Sequence, residues 1–83
     1  MKLQEFITYL ENYKLYYHGN SYKETLNYTF SDNLNRLKRL AHQESSESRN
    51  NNIRYSINEI LYCIQILTPE IIPEIRKFKK VEY

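Results

Sequence analysis

The sequence predicts an all-α protein, a small bundle of three to four helices in antiparallel, up-and-down order. Two observations predict this fold class. The 83 residues include one glycine and two prolines, which leaves few of the breaks that sheets and hairpins need. Apolar residues also recur at three- and four-residue steps through most of the chain, which is the period of one helix face. The length suits one helical domain over residues 1–83.

The first helix is expected over residues 2–17. Its apolar positions share one face of a helix because they are three or four residues apart. They are Leu3, Phe6, Ile7, Leu10, Tyr13 and Tyr17. The only glycine, Gly19, follows at a position where a left-handed helix cap favours glycine.

The second helix is expected over residues 21–42. Ser21 and Glu24 have the spacing of a capping box, in which each side chain accepts from one free backbone N–H. The apolar stripe that follows consists of Leu26, Phe30, Leu34, Leu37 and Leu40. Residues 43–52 contain no apolar side chain, so they are predicted to form a loop.

The third helix is expected over residues 53–67, with an asparagine of the preceding run as its cap. Its seam is Ile53, Ile57, Ile60, Ile64 and Leu67, spaced four, three, four and three. Between Ile60 and Leu67 only Gln65 is polar, so this helix should be buried on several sides. It is either the centre of a compact bundle or packed against a second chain. A fourth helix is expected over residues 69–80, with Thr68 as its cap and Pro69 at its first position.

Composition limits the classes of function. The single cysteine excludes an internal disulfide, which small secreted domains usually need, so a cytoplasmic protein is expected. The chain has no uninterrupted apolar run of about 20 residues, and we expect no membrane partner. A net charge of +2 gives only weak support to nucleic acid as a partner. The abundance of Asn, Ile and Tyr suggests an AT-rich genome, such as that of a phage or another mobile element.

No pattern in the sequence supports catalysis, a cofactor or a bound metal. The cysteine, Cys63, lies in the isoleucine-rich helix, where a buried and unreactive thiol is the expectation. His18 and His42 are far from it in sequence and do not form a metal-ligand pair with it. The chain is therefore predicted not to be an enzyme.

The candidate binding residues are tyrosines and arginines. Tyr9, Tyr13, Tyr16 and Tyr17 form a second stripe on the first helix, and tyrosine is enriched at binding surfaces. Arg36 and Arg39 are added from a basic cluster that also holds Lys38 and His42. We predict a small inhibitor, adaptor or immunity-type regulator that binds a larger protein and forms a homodimer. The alternative is a nucleic-acid-binding repressor or antitoxin. In it the basic cluster would join Arg49, Arg54 and a second cluster of Lys77, Lys79 and Lys80, if the fold brings them together.

One short segment resembles a known family. Residues 36–42, Arg-Leu-Lys-Arg-Leu-Ala-His, resemble the arginine, spacer and histidine motif of HEPN-type helical ribonucleases. The resemblance implies that Arg36 and His42 would act on an RNA backbone across a dimer. It covers seven of the 83 residues, and Leu37 stands where the family usually has a polar residue. We do not carry this activity into the predicted function.

Overall fold

A computed structural model describes residues 1–12, 21–67 and 81–83 of the chain. Within these residues there are three helices: α1 (Leu3–Glu11), α2 (Ser21–Ala41) and α3 (Glu47–Leu67). The described part contains no strand, so the all-α prediction is confirmed for it. The predicted helix over 69–80, residues 13–17 of the first predicted helix, and Gly19 lie outside the described residues.

The core consists of one face from each helix, as the apolar periodicity predicts. α1 buries Leu3, Phe6, Ile7 and Leu10, and α2 buries the stripe from Leu26 to Leu40. α3 buries Ile53, Ile60, Ile64 and Leu67 of the predicted seam, together with Ser56 and Cys63. Ile57, also predicted for the seam, is only partly buried against the core. α2 packs along α3 in the larger helix interface, and α1 packs against α2, so the helices form a bundle.

The start of α3 corrects the sequence prediction. The helix begins at Glu47, so the predicted loop over 43–52 is too long and the predicted start at residue 53 is six residues late. The cap is Ser46 rather than an asparagine: its hydroxyl oxygen accepts the Arg49 backbone N–H at 3.0 Å. A serine at this position satisfies one of the free N–H groups of the first turn, which allows a polar segment to begin the helix.

The two ends of the described chain meet beside α1. The Leu3 N–H donates to the Glu82 carbonyl at 3.1 Å, and the Glu82 N–H donates to the Met1 carbonyl at 2.7 Å. These bonds form an isolated parallel bridge between Lys2 and Glu82. Residues 81–83 are thereby attached to the backbone immediately before and at the start of α1.

No helix among the described residues combines the length and the apolar character that crossing a bilayer requires. α2 and α3 are each 21 residues long, but both carry charged residues along their length.

Candidate functional site

The exposed large hydrophobic side chains in the described part of the chain are all tyrosines. They are Tyr22, Tyr28, Tyr55, Tyr62 and Tyr83. Four of the five lie on α2 and α3 and are more than half exposed. An exposed tyrosine presents both a rigid apolar ring and a polar hydroxyl to solvent. A binding partner can therefore contact either group.

Two of these tyrosines are joined across the helix interface. Tyr22 lies at the start of α2 and Tyr62 near the end of α3. The hydrogen bond to the Tyr62 hydroxyl raises the pKa of Tyr22, because the bond favours the neutral phenol. Both rings remain exposed, at 57% and 53%.

A second contact joins the same two helices further along. The Arg36 guanidinium of α2 lies over the Tyr55 ring of α3, 6.0 Å from the ring centroid. This is a cation–π distance, at which the ring face attracts the cation. Tyr55 is 56% exposed, and Arg36 is exposed as well. The contact therefore orients an arginine and an aromatic ring at the surface.

The two contacts lie on one side of the α2–α3 pair. Tyr55 and Tyr62 are seven positions apart on α3, which is close to two full turns, so they point in similar directions. On α2, Tyr22 and Arg36 are fourteen positions apart, which again returns to the same side. We name Tyr22, Tyr55, Tyr62 and Arg36 the tyrosine face.

Two threonines between Tyr22 and Arg36 on α2 donate their hydroxyl protons to backbone carbonyls. The Thr25 hydroxyl donates to the Ser21 carbonyl at 2.9 Å, and the Thr29 hydroxyl donates to the Thr25 carbonyl at 3.1 Å. Because these two donors already have backbone acceptors, covering Thr25 and Thr29 leaves neither hydroxyl proton without a partner.

The tyrosine face carries both signs of charge. Arg39 is exposed one turn after Arg36, and Asp32 is exposed one turn before it. Glu59 is half-buried on α3, between the positions of Tyr55 and Tyr62. The two arginines and the two acids balance, so no strong field of either sign covers this surface.

The residues predicted as binding sites are only partly visible. Arg36 and Arg39 are exposed on α2, as a contact role requires. Tyr9 is half-buried and packs against the core, so it offers a partner only part of its side chain. Tyr13, Tyr16 and Tyr17 lie outside the described residues.

The basic residues within 21–67 have different surroundings and do not gather into one footprint there. Lys38 pairs with Glu11 of α1, with 3.0 Å between Nζ and Oε1. Arg49 is 8% exposed, so little of its side chain can contact a nucleic acid in the way that the alternative requires. The Arg54 guanidinium lies 6.0 Å from the centroid of the Tyr83 ring. His42, the partner of Arg36 in the ribonuclease-like motif, is exposed beyond the end of α2.

Cys63 is fully buried in α3, as expected. Burial raises the pKa of the Cys63 thiol, and the nearby Glu59 carboxylate raises it further. A thiol with a raised pKa stays protonated near neutral pH and is a poor nucleophile. Residues 1–12, 21–67 and 81–83 contain no group of three or more His, Cys, Asp or Glu side chains placed to hold a metal ion.

No family model, curated protein or solved structure matches this chain. The site must therefore be interpreted from its own chemistry.

Sequence reasoning missed Tyr55 and Tyr62 as surface residues. Their spacing of seven was a usable signal, because it places both on one side of α3, away from the isoleucine seam. The pairing of Tyr55 with Arg36 and of Tyr62 with Tyr22 had no such signal. It depends on how far α2 and α3 slide along each other, which periodicity does not determine.

Proposed function

We propose that this protein is a non-enzymatic regulator, of the inhibitor, adaptor or immunity type, that binds a larger protein through the tyrosine face. One observation carries the proposal. The Arg36 guanidinium of α2 lies over the Tyr55 ring of α3, 6.0 Å from the ring centroid, and Tyr22, Tyr55 and Tyr62 are each more than half exposed.

The chemistry of this surface is that of protein–protein contacts. Tyrosine and arginine are among the residues that contribute most to binding free energy at such interfaces. A side chain that is already ordered loses less conformational entropy when it binds. The cross-helix contacts of Arg36 and Tyr22 therefore reduce the cost of binding, as well as placing the groups.

The proposal includes antiparallel packing of α2 and α3. Each helix has 21 residues and is about 31 Å long. Residues 42–46 connect them and reach at most about 18 Å when fully extended. A parallel pair would need a connection as long as the helices themselves. In an antiparallel pair the start of α2 lies beside the end of α3. Tyr22 is then near Tyr62, and Arg36 is near Tyr55.

A second copy of the chain is also proposed as a partner. The opposite charges on the surface balance, so like-charge repulsion does not oppose self-association. Two helix pairs that pack through such faces form a four-helix bundle, a common arrangement for short chains.

The binding proposal is tested by affinity capture from the cells that encode the chain, with four proteins compared side by side. These are the unchanged chain, Tyr62→Ser, Arg36→Ser and the control Tyr28→Ser. Tyr28 is 71% exposed on α2 but belongs to neither cross-helix contact. We expect a larger protein that the unchanged chain and Tyr28→Ser both retain, with binding about tenfold or more weaker for the other two.

All three substituted residues are more than half exposed or on the surface, so thermal melts should move little. Equal capture by all four proteins would show that the tyrosine face is not the contact surface. If instead the chain shifts DNA or RNA in a gel, with binding that weakens steeply as salt rises, the nucleic-acid alternative replaces this proposal.

A further inference from the structure

Two groups of opposite charge lie close together on the side of the α2–α3 pair that carries the tyrosine face. The Arg36 guanidinium is 6.0 Å from the centroid of the Tyr55 ring. Glu59 follows Tyr55 by about one turn of α3, which is about 6 Å along the helix, so both lie on the same side. This surface therefore holds a cation from α2 and an anion from α3.

Neither of these two charges forms an ion pair with a residue that the structure describes. Asp32 lies four residues before Arg36, a spacing that allows a pair on one helix, but the Arg36 guanidinium lies over the Tyr55 ring instead. Arg36 is exposed and Glu59 is half-buried, so another molecule can contact both. A guanidinium beside a ring still has N–H groups at its edge that can donate to a carboxylate.

A second copy of the chain has the chemistry that this surface requires of a partner. In a two-fold symmetric dimer the same patch meets itself, so each group needs a complement within that patch. A two-fold axis midway between Arg36 and Glu59 places each of them against the other residue in the second copy. The exposed rings of Tyr55 and Tyr62 can meet rings in the same way, and aromatic pairs are favourable.

We propose that the tyrosine face is a homodimer interface in which Arg36 of each copy forms an ion pair with Glu59 of the other copy. This inference rests on the function proposed above, in which a second copy binds the tyrosine face, and it names the contact that makes this binding specific. Each dimer contains the ion pair twice, so a single substitution changes two contacts.

The area of the tyrosine face limits the strength of this dimer. The face extends about 21 Å along α2, from Tyr22 to Arg36, and about 20 Å across the two helices. This is roughly 400 Å² of projected area on each copy, whereas stable complexes bury about 800 Å² on each partner. The dimer should therefore be weak and reversible, and the charge pairs should decide how much of it forms at a given concentration.

Sedimentation equilibrium of charge-reversal variants tests the pairing. Arg36→Glu and Glu59→Lys each place like charges together in a homodimer, so each alone should self-associate about tenfold or more weakly than the unchanged chain. In an equimolar mixture of the two variants, opposite charges meet again in both contacts. We expect the mixture, and the double variant that carries both substitutions, to associate within about threefold of the unchanged chain.

The matched control is Glu44→Lys, which makes the same change of charge in the connection between α2 and α3, outside the tyrosine face. It should self-associate like the unchanged chain. Thermal melts followed by circular dichroism show whether each variant is folded. If Glu59→Lys does not fold, Glu59→Gln removes the charge and keeps the shape. It should still associate more weakly than Glu44→Lys, and equal association of these two variants would contradict the pairing.

Three other results would overturn the pairing. They are a mixture that associates no better than either variant alone, single variants that associate like the unchanged chain, and a mass of 10.2 kDa for the unchanged chain at every concentration. An unchanged chain that retains a larger protein through the tyrosine face, but does not self-associate, contradicts the pairing and leaves the binding of that protein intact. Restored association in the mixture, with no larger protein captured, supports the pairing and contradicts the binding of a larger protein.

Discussion

At the scale of single residues, the polar side chains inside this protein separate into two kinds. Arg49 is buried with three acceptors, and it joins α2, α3 and residues 81–83. Ser56 is completely buried, and its hydroxyl has no hydrogen-bond partner in the described part of the chain. The first kind holds the fold together, whereas the second costs free energy, because its hydroxyl loses water and gains nothing in return.

Replacing Ser56 by alanine should therefore stabilise the protein. We expect the free energy of unfolding to rise by about 1 kcal/mol, from removal of the unpaired hydroxyl and from the higher helix propensity of alanine. Urea unfolding followed by circular dichroism measures the change.

Ser31→Ala is the matched control, since Ser31 lies exposed within α2 and gains the same propensity without any change in burial. The gain at Ser56 should exceed the gain at Ser31. A lower unfolding midpoint for Ser56→Ala would show that the Ser56 hydroxyl has a favourable contact.

Arg49 also marks the limit of sequence reasoning at this scale. An arginine in a run of serine, glutamate and asparagine suggests a solvated side chain, and the nucleic-acid alternative counted it among residues that could join a basic surface. Its burial depends on carbonyl groups at Leu40 and Tyr83, which are distant in sequence. No local sequence pattern predicts that the main-chain oxygens of Leu40 and Tyr83 will accept hydrogen bonds from Arg49.

At the scale of helices, apolar periodicity predicted the helix faces that are buried through apolar residues. The buried faces of α1 and α2 match it, and α3 follows it from Ile53 onwards. It failed over residues 47–52, where α3 has no apolar residue and depends on the Ser46 cap and the buried Arg49. Hydrophobic spacing cannot detect a helix segment held by polar contacts.

Substituting isoleucines of α3 tests the predicted core through the change in the free energy of unfolding. Ile60 is fully buried, and Ile66 on the same helix is half-buried. Ile60→Ala should lower the free energy of unfolding by about 2–5 kcal/mol, from lost apolar contact and the cavity left behind.

Ile66→Ala should cost less, because part of its side chain already meets solvent. Both changes in the free energy of unfolding are measured by urea unfolding. They are compared at the same slope of that free energy against urea concentration. Equal losses at the two positions would place Ile66 in a buried interface, such as one between two copies of the chain.

At the scale of the whole molecule, a larger protein and a second copy would compete for the tyrosine face. Sedimentation equilibrium over a range of protein concentrations measures the self-association of the chain. We expect the mass to rise from 10.2 kDa towards twice that value as concentration increases.

Arg36→Ser should weaken this self-association about tenfold, and Tyr28→Ser should leave it unchanged. A mass of 10.2 kDa at every concentration would exclude the second copy as a partner. Self-association that Arg36→Ser does not alter would assign it to another surface.

The bridge between Lys2 and Glu82 also has a consequence for the order in which the protein assembles. α2 and α3 need only a short connection to close before they meet, so they can pair early. The bridge must bring together two parts of the chain that are about 80 residues apart, and its own two backbone bonds offset little of that loss of chain entropy. We therefore expect the two ends to join last during folding and to part first when the protein is warmed.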